Sequence, residues 1–146
     1  MIELKPYKSA NFLLVNQYFP KTEIDKYTNR GGYKVLSLFA VYKSNFYLLW
    51  DDDKVIGCGV IRWKWSREFY RFGWWLYAIW IHPNYRGTGK GVLLMTKLIE
   101  ELKNKKIKEV LLNVDVTNTI AQKLYTKIGF YEIKRNANLI FMQYDL

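Results

Sequence analysis

The stretch IWIHPNYRGTGKG, residues 79–91, joins an apolar run to a glycine-rich turn. The run from Trp74 to Ile81 is continuously apolar, which is typical of a central strand covered on both faces. After the turn, apolar residues recur at helical spacing through residues 92–102, with charged residues on the opposite side. The stretch therefore predicts a strand that leads through a glycine loop into a long amphipathic helix.

The glycine loop has the composition of an anion-binding turn. Its residues are Arg86, Gly87, Thr88, Gly89, Lys90 and Gly91. Glycines allow successive backbone N–H groups to point into one concavity, and the N-terminus of the following helix adds positive potential. The loop lacks the pattern GxxxxGK[ST] of a nucleotide P-loop, and its third glycine comes one residue early for the dinucleotide pattern GxGxxG. We therefore expect a pyrophosphate-sized site of another kind.

The flanking sequence predicts a mixed α/β sheet in a single domain over residues 1–146. Strands are expected at residues 2–7, 45–50 and 54–65, with the acidic run 51–53 as a polar turn rather than a metal site. Helical patterns cover residues 10–19 and 22–30. After the long helix we expect a strand at 110–116, a helix from Asn118 to Gly129, and strands at 130–135 and 138–144.

The composition indicates an intracellular domain with a basic surface. The chain carries 23 basic and 13 acidic side chains, a formal charge of +10. This charge attracts anions such as nucleic acid or a phosphate-bearing cofactor, although solubility alone also explains it. Cys58 is the single cysteine, which excludes an intramolecular disulfide and favours a reducing compartment. No apolar run approaches the ~20 residues of a membrane helix. We expect a cytoplasmic protein with no metal and no membrane partner.

Two motifs in this chain resemble those of the GNAT (GCN5-related) N-acetyltransferase family. Arg86, Gly89 and Gly91 supply its signature R/Q-x-x-G-x-G/A, after a lead-in at residues 81–85 that is similar to V-x-P-x-Y/F. Residues 118–130, NTIAQKLYTKIGF, resemble the family's N-x-x-A-x-x-L-Y-x-x-x-G-F. The resemblance implies a GNAT fold, with a mixed, mostly antiparallel central sheet flanked by helices. It also implies an acyltransferase that uses acetyl-CoA to acylate a primary amine, either of a small molecule or of a protein.

The resemblance further implies where acetyl-CoA binds. Its pantetheine would lie against the strand residues Ile79, Trp80 and Ile81, whose backbone amides would bind the thioester carbonyl. Its pyrophosphate would lie on residues 86–91. Asn118 matches a position that commonly touches the cofactor, and it is equally suited to cap its own helix.

The resemblance implies a general acid for the reaction but does not identify a general base. Tyr125 matches the family's usual general acid, which protonates the departing thiolate. Some protein-acetylating members of the family have a glutamate that acts as the general base. At the corresponding position this chain has Asn113, which cannot accept a proton. Asp115 lies on the same strand face and is the nearest replacement. It suits a surface or strand-end carboxylate equally well, and a chain of water molecules could take the proton instead. His82, the single histidine, is expected to have a structural role.

The acceptor side leaves alternatives open. Aromatic residues crowd one hairpin, namely Trp63, Trp65, Phe69, Tyr70, Phe72, Trp74 and Trp75, and basic residues alternate with them. Such a hairpin fits strand core, a homodimer surface, or a platform for an aromatic or anionic acceptor or for nucleic acid. The alternative functions are a non-catalytic acyl-CoA-binding module and a basic protein directed at nucleic acid or aminoacyl-RNA.

Overall fold

The computed structural model describes residues 1–8, 11 and 45–146. In these residues the elements are β1 (Ile2–Pro6), β2 (Phe46–Asp51), β3 (Lys54–Ser66), β4 (Arg71–Ile81), a 3-10 turn (Pro83–Tyr85), α1 (Lys90–Asn104), β5 (Glu109–Asp115), α2 (Thr119–Ile128), β6 (Tyr131–Arg135) and β7 (Leu139–Asp145). The helices predicted at 10–19 and 22–30 lie outside the described residues. None of the described helices is long and apolar enough to cross a membrane.

The seven strands form one sheet in the order β1-β2-β3-β4-β5-β7-β6. Neighbouring strands are antiparallel except for β4 and β5, which are parallel. The predicted mixed, mostly antiparallel sheet flanked by helices is confirmed. The clearest difference from the sequence prediction is that β4 begins at Arg71 instead of Trp74, because the β3–β4 ladder extends to the pair Ser66 and Arg71.

The central strand β4 is covered on both faces, as its continuous apolar run predicts. Leu76 and Ile81 pack with α1 in the main core, whereas Trp75 and Trp80 lie in separate clusters of the opposite face. The buried stripe of α1 consists of Leu94, Met95, Leu98, Ile99 and Leu102. Burying one such side chain contributes about 1.5–3 kcal/mol. This packing fixes the position of α1, and with it the glycine loop, at the end of β4.

A small residue on β3 allows α1 to approach the sheet closely. A Cβ atom at Gly59 would lie 2.5 Å from the Cδ1 atom of Leu98. A side chain at this position would displace the Leu98 side chain from its place in the core. Cys58 is buried in the cluster on the opposite face, and burial raises the pKa of its thiol. The cysteine is thus a core residue, as expected, with little thiolate character.

Candidate active site

Strands β4 and β5 separate just after their point of contact. Their parallel pairing is limited to Trp75 and Leu111, although β4 continues to Ile81 and β5 to Asp115. Beyond that pair, the two facing strand edges make no ladder to each other. Backbone N–H and C=O groups on such an edge require another hydrogen-bond partner. The gap therefore presents backbone polar groups to a ligand.

A β-bulge on β4 lies at the start of this gap. On the β3 side, Val60 pairs with Ala78 and Ile61 with Leu76, which leaves Tyr77 as the extra residue. A bulge bends its strand and increases the local twist. The segment of β4 after the bulge consequently diverges from β5, and the strands form a V.

A cavity of about 350 Å³ fills the V. Its lining residues are Lys64, Trp75, Leu76, Tyr77, Ala78, Ile79, Leu112, Asn113, Val114, Asp115, Asn118, Tyr125 and Leu139. Of the predicted site residues, Ile79, Asp115, Asn118 and Tyr125 meet here. Sequence reasoning did not assign Lys64 or Leu139 to the site, because strand pairing alone brings them to the cavity.

The rest of the predicted pantetheine-binding strand does not line the cavity with its side chains. Trp80 and Ile81 are buried, at 3% and 9% exposure, and pack on opposite faces of the sheet. Only their backbone groups are available to a ligand. The prediction for these two residues is thus restricted to main-chain contacts.

The glycine loop lies at the end of β4 and opens to solvent. Gly87 and Gly89 have φ angles of 74° and 79°, in the left-handed region that other residues adopt at a cost. A Cβ atom at either position would meet no atom within 4 Å. The backbone conformation, rather than crowding, therefore explains the need for glycine here.

The start of α1 provides an uncapped helix N-terminus beside these glycines. Gly89 is the N-cap residue and makes no side-chain cap, so the first N–H groups of α1 lack this partner. Lys90 is the first helical residue and adds a full positive charge. A Cβ atom at Gly91 would lie 3.5 Å from the side chain of Leu124, so this glycine lies where α1 meets α2. The arrangement suits a phosphate group.

Two side chains brace the loop from within. The Nε atom of Arg86 donates a hydrogen bond to the carbonyl oxygen of Ile81 at 2.9 Å, and its guanidinium carbon lies 5.8 Å from the ring centre of Trp80. The hydroxyl of Thr88 donates to the carbonyl oxygen of Tyr85. Arg86 thereby ties the loop to the end of β4.

Two side chains, those of Asn118 and Gln122, fix the start of helix α2 beside the end of β5. Asn118 caps the helix, since its Oδ1 atom accepts the N–H of Ala121 at 3.2 Å. The Nε2 atom of Gln122 donates to the carbonyl oxygens of Asp115 and Val116, both at 3.0 Å. The cap at Asn118 was predicted, whereas the contacts of Gln122 depend on tertiary structure. Together they hold the next turn of α2 beside the cavity.

Tyr125 occupies that next turn and lines the cavity. Its ring centre lies 5.8 Å from that of Phe130, a contact that supports one side of the phenol. Burial raises the pKa of Tyr125 to about 12, because desolvation disfavours the phenolate. The hydroxyl therefore remains protonated throughout the physiological pH range and can act as a proton or hydrogen-bond donor.

Asp115 lines the same cavity but is engaged by the turn that follows β5. Its Oδ1 atom accepts the hydroxyl of Thr117 at 2.7 Å and the N–H of Thr117 at 2.8 Å. These two hydrogen bonds, the hydroxyl foremost, lower the pKa of Asp115. The carboxylate is consequently a weaker proton acceptor than an ordinary aspartate. Asn113 is exposed on the same strand.

His82 has the structural role expected of it. Its Nδ1 atom accepts the N–H of Asn84 at 3.2 Å and so caps the 3-10 turn before the glycine loop. Within residues 1–8, 11 and 45–146, no group of three histidine, cysteine, aspartate or glutamate side chains could hold a metal ion.

Comparisons of the sequence with known proteins find acetyltransferases. The model of the acetyltransferase (GNAT) family matches residues 12–130. A [ribosomal protein bS18]-alanine N-acetyltransferase of Haemophilus influenzae is 44% identical over 63 residues, which are 43% of this chain and 42% of that protein. The matched segment thus spans less than half the length of this relative.

Solved structures share the fold at low sequence identity. The ribosomal-protein-S18-alanine N-acetyltransferase of Escherichia coli superposes with a TM-score of 0.75 at 18% identity, covering 99% of this chain and 94% of that one. The PaiA N-acetyltransferase of Thermoplasma acidophilum, in complex with coenzyme A, gives a TM-score of 0.75 at 17% identity and covers 100% and 99% of the two chains. At these identities the comparison establishes the fold.

Proposed function

Because the chain belongs to the acetyltransferase (GNAT) family, we propose that it transfers the acetyl group of acetyl-CoA to the α-amine of a protein N-terminus. One observation carries the proposal: the V between β4 and β5 has an anion-binding glycine loop at one end and a protonated tyrosine at its side. A long, bent thioester with a pyrophosphate at one end requires this combination. The N-acetyltransferase of Thermoplasma acidophilum with a similar fold was solved with coenzyme A bound.

The residues of this chain match three needs of acetyl-CoA binding. The N–H groups around Gly87 and Gly89, with the start of α1, would hold the pyrophosphate. The unpaired edge of β4 would hydrogen-bond the pantetheine amides, using backbone groups of Ile79–Ile81. The same edge would donate to the thioester carbonyl oxygen, where negative charge develops during attack.

The reaction is a direct acyl transfer. The neutral amine nitrogen forms a bond to the thioester carbon, the carbon–sulfur bond breaks, and an amide and a free thiol result. The amine loses one proton to solvent and the sulfur gains one. Tyr125 supplies a hydrogen bond and then the proton to the departing sulfur, and solvent reprotonates the phenolate.

The weak basicity of the site favours an α-amine over a lysine side chain. Asn113 accepts no proton, and the pKa of Asp115 is lowered by Thr117, so the cavity offers little help in deprotonating the acceptor. An α-amine has a pKa near ~7.8, which leaves roughly a third of it neutral at pH 7.5, whereas a lysine amine near ~10.4 is about 0.1% neutral. The site therefore suits an acceptor that loses its proton to water. The Haemophilus influenzae relative is named for an alanine of ribosomal protein bS18, and the only amine that an alanine can offer is its α-amine.

The experiment is a peptide acetylation assay, with acetyl-CoA and CoA binding measured in parallel by thermal unfolding. The acceptors are a short peptide with a free N-terminal alanine and an internal lysine, and the same peptide with a blocked N-terminus. We expect acetylation at the α-amine of the first peptide and at most trace acetylation of the second. A preference for the lysine would overturn the α-amine assignment.

The binding measurement separates an enzyme from a binding module. At a ligand concentration ~100-fold above Kd, binding stabilises the fold by about 2.7 kcal/mol, and we expect this with both acetyl-CoA and CoA but not with NAD. Binding without turnover on any amine would indicate a non-catalytic acyl-CoA-binding module. Absence of binding would contradict the proposed function as a whole.

A further inference from the structure

The turn end of the β3–β4 hairpin carries a surface that lies outside the cavity between β4 and β5. Trp63, Trp65 and Phe72 are 52%, 49% and 55% exposed. Trp65 lies opposite Phe72 and Trp63 opposite Trp74, so the four side chains share one face of the hairpin. We name Trp63, Trp65, Phe72 and Trp74 the aromatic platform. Large exposed apolar groups gathered in one place mark an interaction site.

Contacts among the rings fix the shape of the aromatic platform. The planes of Trp63 and Phe72 are within 7° of parallel, with ring centres 6.0 Å apart. Trp65 contacts Phe72 edge-on at 5.3 Å, and Trp74 contacts Trp63 at 5.4 Å. Rings held in this way lose little conformational freedom when a planar ligand stacks on them.

A groove of about 590 Å³ runs between the aromatic platform and the loop after α1. The loop contributes Lys105, Lys106 and Lys108 to the groove, and all three are exposed. Glu109 is the acidic residue among the described lining residues, and it forms an ion pair with Arg71. The groove thus combines exposed aromatic rings with a rim of three lysines.

We propose that this groove, together with the aromatic platform beside it, binds single-stranded RNA. Bases stack on aromatic side chains regardless of sequence, while lysines follow the phosphates. An acidic peptide would use the lysines but would leave the flat ring faces without a planar partner. A two-fold dimer through the same surface would bring two lysine rims into one interface, where their like charges oppose association. The choice of RNA over DNA rests on the proposed function, through the ribosomal protein named for the Haemophilus influenzae relative. The aromatic and basic surface is observed independently of that function.

The test is fluorescence anisotropy with a labelled, unstructured RNA 12-mer of mixed sequence, titrated at several salt concentrations without acetyl-CoA. We expect binding that weakens as salt rises, because phosphate contacts release counterions. Trp65→Ala and Phe72→Ala should each weaken binding by ~10-fold or more through lost stacking. Phe72→Tyr keeps a stacking ring and should bind like the wild type.

Matched variants separate the groove from the general charge of the protein. Lys106→Glu with Lys108→Glu should reduce the salt slope by about two, or about one per lysine. Lys8→Glu with Lys54→Glu changes the net charge equally at exposed positions outside the groove and should have a much smaller effect. Tyr131→Ala removes an exposed aromatic ring on β6 and should leave the affinity unchanged.

Several results would overturn the proposal. The first is no RNA binding at low salt. The second is binding as tight as that of the wild type by the Trp65→Ala and Phe72→Ala variants, and the third is tighter binding of a DNA 12-mer than of the RNA. Concentration-dependent dimerisation that Phe72→Ala abolishes would assign the surface to a second copy of the chain instead. Thermal unfolding of each variant identifies any loss of fold. Because the assay contains no acetyl-CoA, its outcome is independent of whether acetyl transfer occurs.

Discussion

The two ends of β4 present their chemistry to solvent in opposite ways. At the Ile81 end the strand separates from β5, and the ligand-facing groups are backbone N–H and C=O together with two left-handed glycines. At the Arg71 end the strand pairs with β3 as far as Ser66, and the solvent-facing groups are the rings of the aromatic platform. A backbone site depends on chain conformation, whereas a side-chain surface depends on individual residues. The two ends should therefore respond differently to substitution.

Replacing the phenol at the cavity should have the largest effect on activity. Tyr125→Phe removes the proposed donor to the departing sulfur, and we expect kcat to fall by ~10²–10⁴-fold with the affinity for acetyl-CoA nearly unchanged. Steady-state kinetics with direct measurement of CoA binding checks this. If kcat falls by less than ~3-fold, the sulfur leaves without help from Tyr125.

Replacing either of two tryptophans of the hairpin, one buried and one exposed, should affect stability very differently. Trp75 is 2% exposed and contacts Phe141 in the core, whereas Trp65 is 49% exposed. We expect Trp75→Ala to lower the free energy of unfolding by about 3–5 kcal/mol and Trp65→Ala by about 0.5 kcal/mol or less. Chemical denaturation of both variants provides the measurement. Similar losses would mean that the aromatic platform supports the fold and is not a free surface.

The glycine loop should tolerate substitution at one glycine and not at another. Gly89→Val places a β-branched residue at a φ of 79°, which strains the loop and covers its N–H groups. We expect CoA binding to weaken by roughly 5–30-fold, which corresponds to a backbone cost of about 1–2 kcal/mol. Gly91→Ala is the matched control, because its Cβ atom would make an ordinary 3.5 Å contact with Leu124. Equal losses in both variants would place the phosphate elsewhere.

The pH dependence of activity should follow the acceptor amine, with the smallest contribution from the side chains of the cavity. The pKa of Tyr125 is raised to about 12, so its proton is present up to strongly alkaline pH and causes no loss of rate below that range. The pKa of Asp115 is lowered, so its carboxylate stays ionised through neutral pH. We expect kcat/KM to rise with pH and level off near the acceptor's own pKa of ~8.

Asp115→Asn tests whether that carboxylate takes the amine proton. We expect kcat/KM to change by ~3-fold or less, since general-base catalysis would contribute ~10²–10⁴-fold. The side-chain amide oxygen that this substitution introduces can still accept a hydrogen bond from Thr117. A loss of two orders of magnitude, with a changed pH profile, would restore Asp115 as the base.

Much of the active site could be predicted because its determinants are local. The glycine loop, the N-cap at Asn118 and the helical position of Tyr125 depend on residues close together in sequence. The cavity could not be predicted, because it exists only where the bulge at Tyr77 and the end of pairing at Trp75 and Leu111 coincide. The positions of Lys64 and Gln122 at the site could not be predicted either, because they depend on contacts between segments that are distant in sequence or separated by a turn.

The sequence by itself determined the order of strands and helices, the left-handed loop and the family motifs, since hydrophobic period, glycine conformation and capping are properties of short segments. Tertiary structure alone decided which edge of β4 stays unpaired, and how Thr117 weakens Asp115 as a base. It also decided which aromatic rings of the hairpin are buried and which form the platform beside the lysines. Those outcomes depend on which strand pairs with which, and a one-dimensional pattern leaves that pairing unspecified.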